Sequence, residues 1–150
     1  MRQTGCLLIL LFVLLIAAPS DGGSPSGFAE PDRVAVQHIL ISFKGAIPKP
    51  TVVRTREEAQ KLALDIFERA RKGEDFDSLV KQYTDDEYPG VYRMSNIGVS
   101  PDSAKQEYSR AGMVKAFGDV SFSLPVDGIG LAEYNPKESK YGWHIIKRIE

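Results

Sequence analysis

The stretch from Val34 to Phe43 constrains the fold more than any other part of this chain. Along a β-strand, alternate side chains point to opposite faces. Val34, Val36, His38 and Leu40 then share one face, and Ala35, Gln37, Ile39 and Ile41 share the other. Both faces are largely apolar, so the strand belongs at the centre of a sheet with both sides covered.

Helical signals follow a loop from Lys44 to Arg54 that is broken by Pro48 and Pro50. Thr55 with Glu58 three residues on is a capping box, which satisfies free N–H groups of a first helical turn. Ala59, Leu62, Ala63, Ile66 and Ala70 continue at helical spacing, and Gly73 suits the left-handed end position. Asp75 caps a second helix carrying Phe76, Leu79, Val80 and Tyr83, which ends by Pro89-Gly90. Val91 to Met94 reads as a short strand, Gly98 to Ser109 as an irregular insertion, and Met113 to Phe122 as a short helix. After the turn Pro125-Val126-Asp127-Gly128, two strands are expected, over Ile129 to Tyr134 and Gly142 to Ile149. Helices interspersed with a small antiparallel sheet define an α+β domain.

The N-terminus has a different character. Arg2 precedes an unbroken apolar run from Cys6 to Ala18, shorter than the roughly 20 residues that span a bilayer. A basic start, a short apolar core and small residues beyond it describe a secretory signal peptide, with cleavage near Ala18-Pro19-Ser20. An uncleaved anchor is the alternative. Residues 21–32 are rich in Gly, Ser and Pro and read as a flexible linker, so the folded domain is expected over residues 33–150. Cys6 is the only cysteine. Removal of the leader leaves a chain with no disulfide, cysteine metal site or thiol nucleophile. A net charge of −1 gives no support to nucleic-acid binding, which favours a strongly basic face.

The chain has two histidines, His38 in the first strand and His144 in the last. Either alone is more often a packed core residue than a catalytic one. Two of them, each in an apolar strand, make coincidence less attractive. If the first and last strands are neighbours, both imidazoles can point to one spot. Asp85-Asp86 by itself reads as a solvated helix end. Met113 and Phe117, four apart on one helical face, by themselves read as core packing. No Gly-rich phosphate loop, zinc-ligand spacing or nucleophile elbow is present, and no local motif supports a serine–histidine–aspartate triad.

Several blocks, taken in order and spacing, resemble the parvulin family. They are Val36-Gln37-His38-Ile39-Leu40, Thr55-Arg56-Glu57-Glu58-Ala59, Gly73-Glu74-Asp75-Phe76-Asp77-Ser78-Leu79, Tyr83-Thr84-Asp85-Asp86, Gly112-Met113-Val114-Lys115-Ala116-Phe117 and Tyr141-Gly142-Trp143-His144-Ile145-Ile146-Lys147. The resemblance covers Val34 to Glu150. It implies a parvulin-like, FKBP-like four-stranded antiparallel sheet surrounded by helices. It also implies peptidyl-prolyl cis/trans isomerase activity without cofactor or metal, on proline-containing polypeptide clients, by a monomer. His38 and His144 match the family's paired histidines, and Asp86 falls where many members carry Cys or Asp. Met113 and Phe117 match the apolar floor that holds the substrate proline, and Ser139 lies near a hydroxyl that bonds one histidine.

Many members carry a Gly-Gly-Asp-Leu-Gly stretch after the Asp block. Here Pro89-Gly90-Val91-Tyr92-Arg93-Met94-Ser95-Asn96 stands instead, with Tyr92 in the place of the pocket leucine. This departure motivates a rival reading, a chaperone-like peptide-binding domain with little turnover. A non-catalytic envelope domain and, more distantly, a hydrolase are further rivals. With the leader, the isomerase reading places the protein in the periplasm, cell envelope or extracellular space.

Overall fold

The computed structural model describes residues 29–150, so the expected leader, Cys6 and most of the linker lie outside the described residues. Ten short elements follow in chain order, eight of which carry the architecture. These are β1 (Arg33–Ile41), α1 (Arg56–Arg71), α2 (Phe76–Tyr83), β2 (Val91–Ser95), β3 (Tyr108–Ser109), α3 (Lys115–Ser123), β4 (Ile129–Ala132) and β5 (Trp143–Arg148). Single 3-10 turns at Ser103–Lys105 and Arg110–Gly112 flank β3.

The sheet order is β3-β2-β1-β5-β4, which puts β1 at the centre, as its two apolar faces require. Ile39 and Ile41 join Ala59, Ala63 and Ile66 of α1, Leu79 and Val80 of α2, and Trp143 and Ile145 of β5 in one core. Val34 and Val36 point the other way, into a second core with Met94, Phe117, Phe122 and Ile146. Helices α1 and α2 therefore cover one face of the sheet and α3 the other. The Thr55–Glu58 capping box forms in both directions, and the Asp75 carboxylate accepts from the Ser78 N–H at 2.8 Å.

The α+β expectation holds, with one correction to the sheet. The four longer strands pair antiparallel, but β3 adds a fifth strand, parallel to β2 through Met94 and Ser95. The insertion that carries β3 is ordered by its own polar contacts. Glu107 pairs with Arg33 and accepts from the Asp102 N–H at 2.8 Å. No apolar periodicity announces such a two-residue strand, because side-chain ion pairs hold it in place. The end of the Gly/Ser/Pro-rich stretch also joins the domain: Asn96 donates from its backbone to Asp32 (2.8 Å) and from its side chain to Pro31 (2.9 Å).

Candidate active site

Strand register brings the two histidines together. In the antiparallel β1–β5 ladder, His144 stands opposite Leu40 and His38 opposite Ile146. The two imidazoles are thus diagonal neighbours on the α3 face, at a separation that rings can bridge. They lie nearly parallel, with centroids 5.5 Å apart and Nδ1 atoms 3.3 Å apart. Gly142 lets the chain enter β5 this closely. Its φ is +142°, and a Cβ there would lie 2.2 Å from the Ile41 carbonyl oxygen.

Asp86 arrives by a different route. Beyond Gln37, β2 no longer pairs with β1, and the segment after α2 takes its place. The Asp85 N–H donates to the Leu40 carbonyl (2.8 Å), and the Leu40 N–H donates to the Thr84 hydroxyl (3.2 Å). The Asp85 carboxylate accepts from the Ser42 N–H at 2.7 Å and pairs with Arg54. Asp85 thus pins the segment, while Asp86 faces inward, its Oδ2 at 3.0 Å from Nε2 of His38. The same oxygen accepts from the Tyr92 hydroxyl at 2.9 Å.

The apolar wall comes from α3 and its approach. Phe117 is 2% exposed and sits against both imidazoles, with ring centroids 5.1 Å from His38 and 5.4 Å from His144. Met113 lines the same cleft, but not from the helical face expected for it. Helix α3 starts at Lys115 with Val114 as its cap, and Met113 is extended (φ −88°, ψ 165°) after the Arg110–Gly112 turn. The cleft has a volume of about 560 Å³ and brings together His38, Asp86, Tyr92, Met113, Phe117 and His144.

Ser139 is the one expected site residue that lies elsewhere. It is buried, and its hydroxyl donates to the Gly142 carbonyl at 2.9 Å rather than to an imidazole. There it fixes the turn that feeds β5. Leu40, Ile47, Pro48, Lys49, Glu87, Val114 and Tyr141 also line the cleft and were not expected. Nothing local singles out Ile47, since Val52 and Val53 of the same loop are apolar too. Among the described residues, no group of three or more His, Cys, Asp or Glu is arranged to hold a metal ion.

Electrostatics order the polar side. The His38 hydrogen bond, helped by that of Tyr92, outweighs burial and holds the Asp86 carboxyl down at about 2, so it is ionised at neutral pH. Burial, with His38 as a second cause, lowers His144 to about 3 and keeps it neutral. The Tyr92 phenol is raised by burial and by the Asp86 charge beside it. An ionised carboxylate only accepts, so His38 carries a proton on Nε2. The Nδ1 atoms of the two rings face each other at 3.3 Å, so one donates and the other accepts. Nε2 of His144 is buried without a hydrogen-bond partner among the described residues.

Comparisons with known proteins bear on the domain and fold that carry this arrangement. The model of the PPIC-type PPIASE domain family matches residues 28–150. The chain belongs to this family of parvulin-type rotamase domains. It is 30% identical over 136 residues to Chaperone SurA of Pseudomonas syringae pv. tomato, covering 91% of this chain and 27% of that protein. It is 32% identical over 141 residues to Chaperone SurA of Chromohalobacter salexigens, covering 83% of this chain and 28% of that protein. The chain therefore spans about a quarter of the length of these relatives. Among solved structures, the fold is similar to the solution structure of TbPIN1, with a TM-score of 0.58 and 22% identity over 79% of this chain and 98% of that one. It is likewise similar to the peptidyl-prolyl isomerase ESS1 from Candida albicans, with a TM-score of 0.56 and 20% identity over 79% of this chain and 63% of that one.

Proposed function

We propose that the cleft is the active site of a peptidyl-prolyl cis/trans isomerase acting on X-Pro bonds of exported or envelope polypeptides. The observation that carries this reading is the apposition of Phe117 and Met113 to the His38–His144–Asp86 array in one cleft. Resonance sets a barrier of roughly 18–20 kcal/mol to rotation about the amide, and the uncatalysed exchange takes tens of seconds or more. No covalent bond is made or broken, so the rotation calls for no cofactor. The enzyme need only bind the twisted amide better than either planar form.

The residues divide this work between them. Phe117 and Met113 grip the proline ring and exclude water on that side. Twisting removes resonance, making the nitrogen more pyramidal and the carbonyl more ketone-like. A partly dry cleft favours that less dipolar amide over the planar one. The polar array meets the amide from the other side. Ionised Asp86 fixes the proton on Nε2 of His38, and His38 in turn orients His144, so the rings present a set pattern to the substrate. Ser139 supports the turn before β5 and stays outside the chemistry.

Exchange spectroscopy by NMR on a short X-Pro peptide tests this reading. Faster cis/trans exchange with the folded protein, persisting after EDTA treatment, is the expected result. Binding of the peptide without faster exchange would favour the chaperone-like reading, which the similarity to Chaperone SurA motivates.

A further inference from the structure

We propose that Tyr92 is a positioning residue whose hydroxyl holds the Asp86 carboxylate on His38, and so sets which nitrogen of each imidazole carries its proton. The proposal rests on the isomerase reading of the cleft. In the sequence, this position reads as one apolar wall of the proline pocket, a role that a ring alone could fill. The structure adds a polar one. Both donors, the Tyr92 hydroxyl at 2.9 Å and the His38 ring at 3.0 Å, converge on Oδ2 of Asp86. One carboxylate oxygen has two lone pairs and can accept from both.

The two ends of this bond differ in rigidity. Asp86 lies on an irregular segment after α2, and its side chain is 31% exposed. Such a carboxylate can turn toward water unless something holds it. Tyr92 lies in β2, opposite Val36 in the β1–β2 ladder. Its ring meets His38 edge-on at 5.1 Å and Phe117 at 5.7 Å, and Tyr108 of β3 lies 5.7 Å from it. The phenol is clamped by three rings, with its hydroxyl fixed by strand geometry. It is therefore the anchor and the carboxylate the anchored group. Beyond His38, the titratable groups around the carboxylate are His144 one ring further in, Tyr108 against Tyr92, the neighbouring Asp85 with its partner Arg54, and Glu87, Lys49 and Tyr141 in the cleft lining.

Tyr92→Phe separates the hydroxyl from the ring, since the ring contacts survive. NMR titration of the full chain reads the Asp86 carboxyl and the nitrogen shifts of both imidazoles, alongside peptide isomerisation. The Asp86 carboxyl should titrate about 0.5–1 unit higher in Tyr92→Phe, because a hydrogen bond to its charged form is gone. The imidazole shifts should move toward a mixture of tautomers. The kcat/KM should fall about 5- to 10-fold, mainly through kcat, since a charge-assisted bond of ordinary strength is lost. In an Asp86→Asn background, the same substitution should have little further effect, the signature of residues acting through one another. Unchanged carboxyl titration and tautomers in Tyr92→Phe would overturn the proposal, as would an equal loss of rate in both backgrounds. If the parent protein does not speed exchange, the isomerase reading falls, while the titration and tautomer measurements still decide what Tyr92 does.

Discussion

At the scale of single residues, the cleft combines groups that are costly to bury with groups that are easy to bury. Phe117 belongs to the second kind, yet it touches both imidazoles, so it serves fold and site together. Truncating a buried Phe to Ala typically costs about 3–5 kcal/mol, enough to confuse unfolding with lost function. Phe117→Leu is the cleaner probe: the fold should survive and peptide affinity should drop about tenfold, measured by titration calorimetry with folding checked by circular dichroism. His144 belongs to the first kind. Its folded pKa, about 3, lies well below the ordinary value near 6.5, so the unfolded chain takes up this proton first as pH falls. Stability from His144 is therefore present at neutral pH and lost progressively below about 6.5, amounting to about 2 kcal/mol between pH 7 and 5. Urea unfolding at the two values should show that loss in the parent protein, and His144→Phe should be flatter by about that amount. Asp86 has the opposite sign of charge and a folded value of about 2, so its own contribution is lost only below about pH 4.

Elements place these residues, and glycine decides how closely two of them approach. Gly142 and Gly73 both have positive φ, +142° and +91°, but only Gly142 has backbone where a Cβ would go. Gly73→Ala should cost about 1–2 kcal/mol, the expense of a left-handed conformation. Gly142→Ala should cost more and also reduce isomerisation, because β5 must shift and carries His144 with it. Thermal melts of the two variants, with exchange rates measured well below the melting point, check the contrast. The helix and strand order is visible in the sequence because capping boxes and apolar periodicity are local signals. Thr55 with Glu58, and Asp75, form the expected caps. The spacing of Met113 from Phe117 fits a helical turn, but the Arg110–Gly112 turn precedes Met113 and Val114 is the cap of α3. Spacing cannot distinguish a residue in a helix from one just before it that still reaches the same cleft.

For the whole molecule, rim charge bears on what the cleft accepts. Glu87 lines the cleft beside the ionised Asp86, while Arg54 is paired with Asp85 and Lys49 donates to the Asp85 carbonyl at 2.9 Å. A phosphate before the proline carries close to two negative charges and is best met by clustered, free Arg side chains. Paired peptides should therefore show no gain from phosphorylation, and a hundredfold preference for the phosphorylated peptide would show that these basic side chains regroup around it. Export is expected from residues 1–20, and N-terminal sequencing of the exported protein should find a start close to Asp21, whereas Met1 retained in a membrane fraction would indicate an anchor. The sequence alone determined the central strand, the two capped helices and the α+β class, and the resemblance carried by its ordered blocks pointed to residues that line the cleft. Each rests on neighbours within a few positions or on a pattern of such neighbours. Only the tertiary structure decided that His38 and His144 meet diagonally, that Asp85 pins while Asp86 points inward, that Ser139 turns away, and that Tyr92 bonds the carboxylate. These depend on register between strands 106 positions apart and on a loop that replaces β2 beside β1. Pairings across that distance are set by how the whole core packs, which no local spacing records.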